Sequence, residues 1–107
     1  MASVFPIEQS ATEFIEEVGG IYFRSIILYK KGTRVPQHRH DVSHPTYCGS
    51  GAAHYYVDGE LKGIVLAGRA VLIEAGHAHE FVALQDNTRL TCVFDAAKAE
   101  QLKEKGF

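Results

Sequence analysis

Cysteine is scarce in this chain, with only Cys48 and Cys92 among 107 residues. Two thiols do not make a disulfide framework, and they suit a reducing cytoplasm. The start, MASVFPIEQSATEF, has no basic segment followed by an apolar one, so no signal peptide is expected. Long apolar runs are also missing: IIL at 26–28 and IVLA at 64–67 are strand-sized and cannot span a bilayer. Neither sign of charge dominates. The formal net charge is −2 and no basic stripe exists, which excludes nucleic acid and anionic membrane as expected partners. There is no CxxC, P-loop or GxSxG. GSGAAH at 49–54 carries two of the three glycines of a dinucleotide fingerprint but lies among short strands with no helix after it. Ser43 stands beside His44 without an orienting acid or an oxyanion hole. With no repeat, linker or low-complexity tract, residues 1–107 are read as one domain with a single core.

What the chain does have is histidine at fixed offsets. His38 and His40 are separated by one residue, so on a strand both side chains leave the same face. Neutral imidazole is a good ligand for transition metals, and His44 and His79 add two more candidates. Together they predict one enclosed metal ion.

The glycines around these histidines complete two blocks. Gly32 to Gly51, GTRVPQHRHDVSHPTYCGSG, holds Gly32, His38, His40, His44 and Gly51; Gly68 to Ala83, GRAVLIEAGHAHEFVA, holds Gly68, Gly76 and His79. These blocks resemble the paired signature of the cupin superfamily, small single-domain cupins above all. Every spacing of the first block matches, with His44 where that family has Glu. In the second, Glu74 replaces a Pro and Ala83 an Asn. The resemblance implies an all-β jelly-roll barrel or sandwich and one divalent ion (Mn, Fe, Ni, Co or Zn) held by His38, His40, His44 and His79. His44 either ligates as a fourth histidine or leaves a three-histidine site, as in some thiol and diketone dioxygenases of the family. By analogy a homodimer is also implied. The stretch 73–94 is in addition similar to small cupins encoded by phages and prophages.

Local signals place the elements. Residues 10–18, SATEFIEEV, read as a short helix capped by Ser10 and ended by Gly19 and Gly20. Strands are predicted over 21–29, through the HxH block, at 46–48, and over 53–57, 61–67, 70–74, 79–84 and 89–94. Asp58-Gly59 supplies a type I′ hairpin turn. This places the barrel core at about 21–95. The tail from about 95 to 105 reads as a helix capped by Asp95 and stopped by Gly106.

Four neutral histidines would leave a divalent ion with charge +2, against +1 where one ligand is Glu. The added charge acidifies bound water and opposes oxidation of the ion, which favours Lewis-acid chemistry without excluding oxygen activation. An octahedral ion keeps two positions open for water, substrate or dioxygen; four-coordinate zinc would close the site. By alternation Thr46 and Cys48 share the face of His44, and Phe81 and Ala83 share that of His79, so these four line the expected pocket. His54 faces either inward, lining the pocket, or outward. Cys48 and Cys92 read as small buried hydrophobes, Glu80 as a solvated charge opposite His79, and His77 as exposed. No catalytic acid or base is evident. Two functions follow: a metal-dependent enzyme on a small organic molecule, oxygen-dependent oxidoreductase first and Lewis-acid isomerase, lyase or cyclase second, or a non-catalytic small-molecule or sugar-binding module, phage-associated or not.

Overall fold

The computed structural model describes residues 11–39 and 42–95, with the side chains of 36–38 left aside. Nine strands run in order: β1 (Ala11–Val18), β2 (Ile21–Leu28), β3 (Arg34–Arg39), β4 (His44–Ser50), β5 (Ala52–Val57), β6 (Glu60–Leu66), β7 (Ala70–Ile73), β8 (Ala78–Ala83) and β9 (Thr88–Asp95). They form a five-stranded sheet, β1-β2-β9-β4-β7, and a four-stranded sheet, β3-β8-β5-β6. The two pack as a jelly-roll sandwich, and every pairing is antiparallel.

Alternation decides what is buried. In β4, His44, Thr46 and Cys48 are buried while Pro45 and Tyr47 are exposed; in β9 the buried set is Thr88, Leu90, Cys92 and Phe94. These meet Val35, Val65, Phe81 and Ala83 from the opposite sheet in one apolar core. The Asp58-Gly59 turn has φ of 51° and 84°, as a type I′ hairpin requires.

One predicted element is corrected. Residues 11–18 form a strand, paired along their whole length with β2, and the N-terminal helix expected there is absent. Gly19 and Gly20, with φ of 57° and 84°, make a hairpin turn where a helix stop was expected. Eight cross-strand pairs with β2 outweigh the modest helix preference of ATEFIEEV, a contest that local sequence does not display. The predicted C-terminal helix falls almost wholly on residues outside those described; Asp95 itself ends β9.

At the β4–β5 corner the chain makes a close approach. Gly51 has φ 74°, and a Cβ there would lie 2.9 Å from the Thr88 Cα and against its hydroxyl. Thr88 is fully buried and its hydroxyl reaches the carbonyl oxygens of Gln85 and Ala52 at 2.9 and 3.2 Å, so it cannot yield cheaply. Gly51→Ala should lower stability to urea by about 3 kcal/mol, combining left-handed strain with overpacking. Gly59→Ala, with φ 84° and open space around it, should cost about 1–2 kcal/mol. Equal losses would show that the Thr88 contact carries no weight.

Candidate metal centre

The turns gather in two sets at opposite ends of the sandwich. The β1–β2 turn at 19–20, the β3–β4 connection, the β5–β6 turn at 58–59 and the β7–β8 turn at 74–77 share one end. His44 starts β4 and His79 lies near the start of β8, so both belong to that end. Both face inward and are almost fully buried, at 1% and 3% exposure. Their ring centroids are 6.1 Å apart, edge to face, and the His44 ring packs on Phe94 at 4.5 Å.

The hydrogen bonds of the rings fix their tautomers. His44 Nδ1 lies 3.2 Å from the carbonyl oxygen of Pro45, and His79 Nδ1 lies 3.3 Å from that of His77. A carbonyl oxygen only accepts, so each Nδ1 carries the hydrogen and each Nε2 keeps its lone pair. Burial holds both imidazoles neutral, pushing their pKa down to about 4; backbone hydrogen bonds oppose this weakly. Buried, neutral, with Nδ1 held by a carbonyl and Nε2 presenting a lone pair, these are histidines in the state that a transition metal requires. The donor set fits a divalent ion.

Of the other predicted ligands, the main chain of His38 pairs directly with His79 across β3 and β8. The side chain of His38 and the whole of His40 lie outside the described residues. Among the described residues, no group of three or more His, Cys, Asp or Glu forms a metal-holding cluster.

The predicted pocket residues divide. Thr46, Cys48, Phe81 and Ala83 are all buried on the inner faces. His54 does not line the interior: it pairs with Val82 and Ile64, one residue out of phase with the inward set of Ala53, Tyr55 and Val57, and so sits on the outer face. Glu80 also faces out, with Arg34 at 3.4 Å. His77 is half exposed and its Nδ1 is 2.7 Å from Asp58 Oδ2. The second Asp58 oxygen accepts from the Ala78 N–H at 3.0 Å, and Ser43 Oγ accepts from the Ala75 N–H at 2.9 Å. These contacts pin the β7–β8 turn, where Glu74 stands in place of the motif proline, and thereby set the approach to His79.

A cleft of about 570 Å³ opens at this end and is lined in part by Tyr55, Val57, Glu74 and His77. Val57 is the cross-strand partner of His79, and Ile73, next to Glu74, is the partner of His44. Neither His44 nor His79 lines the cleft itself; each is one register step away from it.

Sequence reasoning missed Arg24 and Glu13. Arg24 is 1% exposed and ion-paired with the nearly buried Glu13. Burial lowers the guanidinium pKa, and the Glu13 carboxylate opposes that shift. Arg24 faces Cys92 across β2 and β9; Cys92 Sγ is 3.5 Å from Thr46 Oγ1, which is 3.5 Å from His44 Nδ1. A polar chain thus crosses four strands of the inner face and ends at a candidate ligand. Parity in β2, IYFRSIIL, held the signal: Arg24 shares its phase with Tyr22, Ile26 and Leu28. Glu13 was hidden because its segment was read as helix.

A family model described as Cupin domain matches residues 25–94. Among solved structures, KdgF from Halomonas sp. is 18% identical over 91% of this chain and 88% of its own, with a TM-score of 0.73. The SPY1581 protein of unknown function from Streptococcus pyogenes is 20% identical over 89% of this chain and 86% of its own, TM-score 0.66. An oxalate oxidase aligns at 14% identity and TM-score 0.67 over 80% of this chain, which spans about half (51%) of that protein. These likenesses show the fold. No curated protein is matched. No helix among the described residues is long and apolar enough to cross a membrane.

The neutral histidines give the metal-free protein a pH signature. In the unfolded chain imidazole titrates near 6.5, whereas in the fold His44 and His79 do so at about 4. Between those values the unfolded state binds more protons, so stability is full above pH 6.5 and falls as pH drops toward 4. The loss should be on the order of 3 kcal/mol per histidine. Urea titrations of metal-free protein at stepped pH test this, and a flat profile from pH 7 to 4 would contradict it.

Proposed function

The chain belongs to the Cupin domain family, and we propose that it is a metal-dependent cupin acting on a small organic molecule that enters by the cleft between Val57 and Glu74. The observation that carries this is the pair of buried, neutral histidines, His44 and His79, each with Nδ1 held by a main-chain carbonyl. His38 and His40 complete the ligand set from β3 and the residue beyond its end. The ion would supply Lewis acidity and, if redox-capable, a route to dioxygen chemistry.

The protein's own groups do the rest. Thr46 and the Pro45 carbonyl hold the His44 ring, and the His77 carbonyl holds that of His79. Phe81 and Phe94, 3% exposed each, keep the inner wall apolar and exclude water. Glu74 and the Asp58–His77 pair stand at the cleft and meet a polar molecule first. An oxygen-dependent oxidoreductase is the leading reaction type, and an oxalate oxidase among the fold neighbours is in keeping with it. A Lewis-acid isomerase, lyase or cyclase comes next.

The second reading, a non-catalytic binding module, draws on the interior itself. Glu13, the carboxylate nearest to burial among the described residues, is already engaged by Arg24. Among the described residues no unpaired carboxylate then stands on the inner wall.

The test is metal content. Untagged protein should carry about one equivalent of a divalent transition metal by elemental analysis. His44→Ala and His79→Ala should each lower metal affinity at least about tenfold. Metal-free protein that cannot be reconstituted would overturn the proposal. Stoichiometric metal with neither oxygen consumption nor redox-neutral turnover across a substrate screen would move the reading to the binding module.

A further inference from the structure

A full positive charge sits inside this barrel. Among the described residues Arg24 is the one buried Lys or Arg, and its guanidinium stays protonated around neutrality. Its partner Glu13, on the edge strand β1, has only 8% of its side chain exposed. Two ions taken out of water cost more than an apolar pair of the same volume, so the pair is a poor device for stability alone. Its place relative to the histidines suggests a second use.

The registers of β1, β2, β9 and β4 fix that place. Ile15, Arg24, Cys92 and Thr46 form one row across the inner face. The next row toward the histidine end holds Tyr22, Phe94 and His44, and the next row away from it holds Glu13, Ile26, Leu90 and Cys48. Arg24 is therefore two strands and one row from His44, whereas Glu13 is three strands and two rows from it. At ordinary sheet spacings these offsets are about 12 and about 20 Å between Cα atoms. The pair is an oriented dipole with its positive pole toward the candidate centre. Thr46, Cys92 and Phe94, which stand between, are at most 7% exposed, so solvent and salt screen little of its field. The Cys92 thiol registers the same polarity: burial pushes its pKa up, the Thr46 hydrogen bond and then the Arg24 charge oppose this, and Glu13 counts for less than Arg24.

We propose, on the metal reading above, that Arg24 and Glu13 are positioning residues of the candidate centre: together they hold a positive potential at His44 and His79 that favours the divalent over the trivalent state of a bound ion. Repulsion grows with the charge of the ion, so a trivalent ion loses more than a divalent one. Glu13 sets the size of the effect. Lying on the far side of Arg24, it trims the potential at the histidines without cancelling it.

The test is the affinity of the full chain for Co(II), measured by chelator competition, with the midpoint potential of the iron-loaded protein beside it. Glu13→Gln, which leaves the guanidinium unopposed, should weaken Co(II) binding about tenfold. It should raise the iron potential by about 30 mV, a threefold change in ratio at about 59 mV per tenfold. Arg24→Lys keeps the charge and should stay near wild type in both. Glu13→Leu with Arg24→Met fills the same volume without charge, and should bind Co(II) about threefold more tightly with a lowered iron potential. That double variant leaves no buried ion unpaired, so it reads the sign even where Glu13→Gln fails to fold. Wild-type protein that takes up no metal would overturn the metal reading and this inference with it. Metal bound with affinity and potential unchanged in the double variant, or moved the other way, would overturn this inference alone and leave the pair as a tie between β1 and the barrel.

Discussion

The pairing register is the constraint on which this structure rests. Side chains alternate with a period of two, so the register of each strand decides what the interior contains. His44 opposite Ile73, and His79 between Val57 and the main chain of His38, are inward positions only in the observed register. A slip of one residue in β8 would put His79 in solvent and Glu80 inside. The apolar partners of the histidines therefore hold the site indirectly: Ile73 and Phe81 must be buried, and their burial keeps the imidazoles in the same layer.

Within that layer, low dielectric drives titrating groups toward their neutral forms. The imidazoles of His44 and His79 are pushed down, and the thiols of Cys48 and Cys92 are pushed up. Arg24 is the exception, and Glu13 is the reason its charge is tolerable there. Breaking such a pair from one side is far more damaging than never having built it. The pair also fastens β1, an edge strand, to the interior, so the N-terminal hairpin is tied to the barrel by a charge contact as well as by the ladder.

Much of this was legible in the chain. Eight predicted strands, the Asp58-Gly59 hairpin and the inward phase of His44, Thr46, Cys48, His79 and Phe81 follow from period-two alternation and turn chemistry. β1 was not legible, because Glu and Ala favour a helix locally and the deciding contacts are eight cross-strand pairs with β2. The side of His54 was undecided for a related reason. Alternation sorts neighbours into two sets without saying which set is inside until the partner strands are known. The Asp58 contacts that steady the β7–β8 turn could not be read either, since they join residues about twenty positions apart.

The separation of the turns has a practical side. The end opposite the histidines is made by the connections at 29–33, 51, 67–69 and 84–87, and both native thiols are buried. Gln85 is exposed in the β8–β9 turn, where Lys31 N–H and Asp86 already brace the chain. A cysteine introduced at Gln85 would be the sole accessible thiol, since Cys48 and Cys92 are both buried. The protein could be tethered or labelled there with its histidine end turned outward, open to whatever is offered.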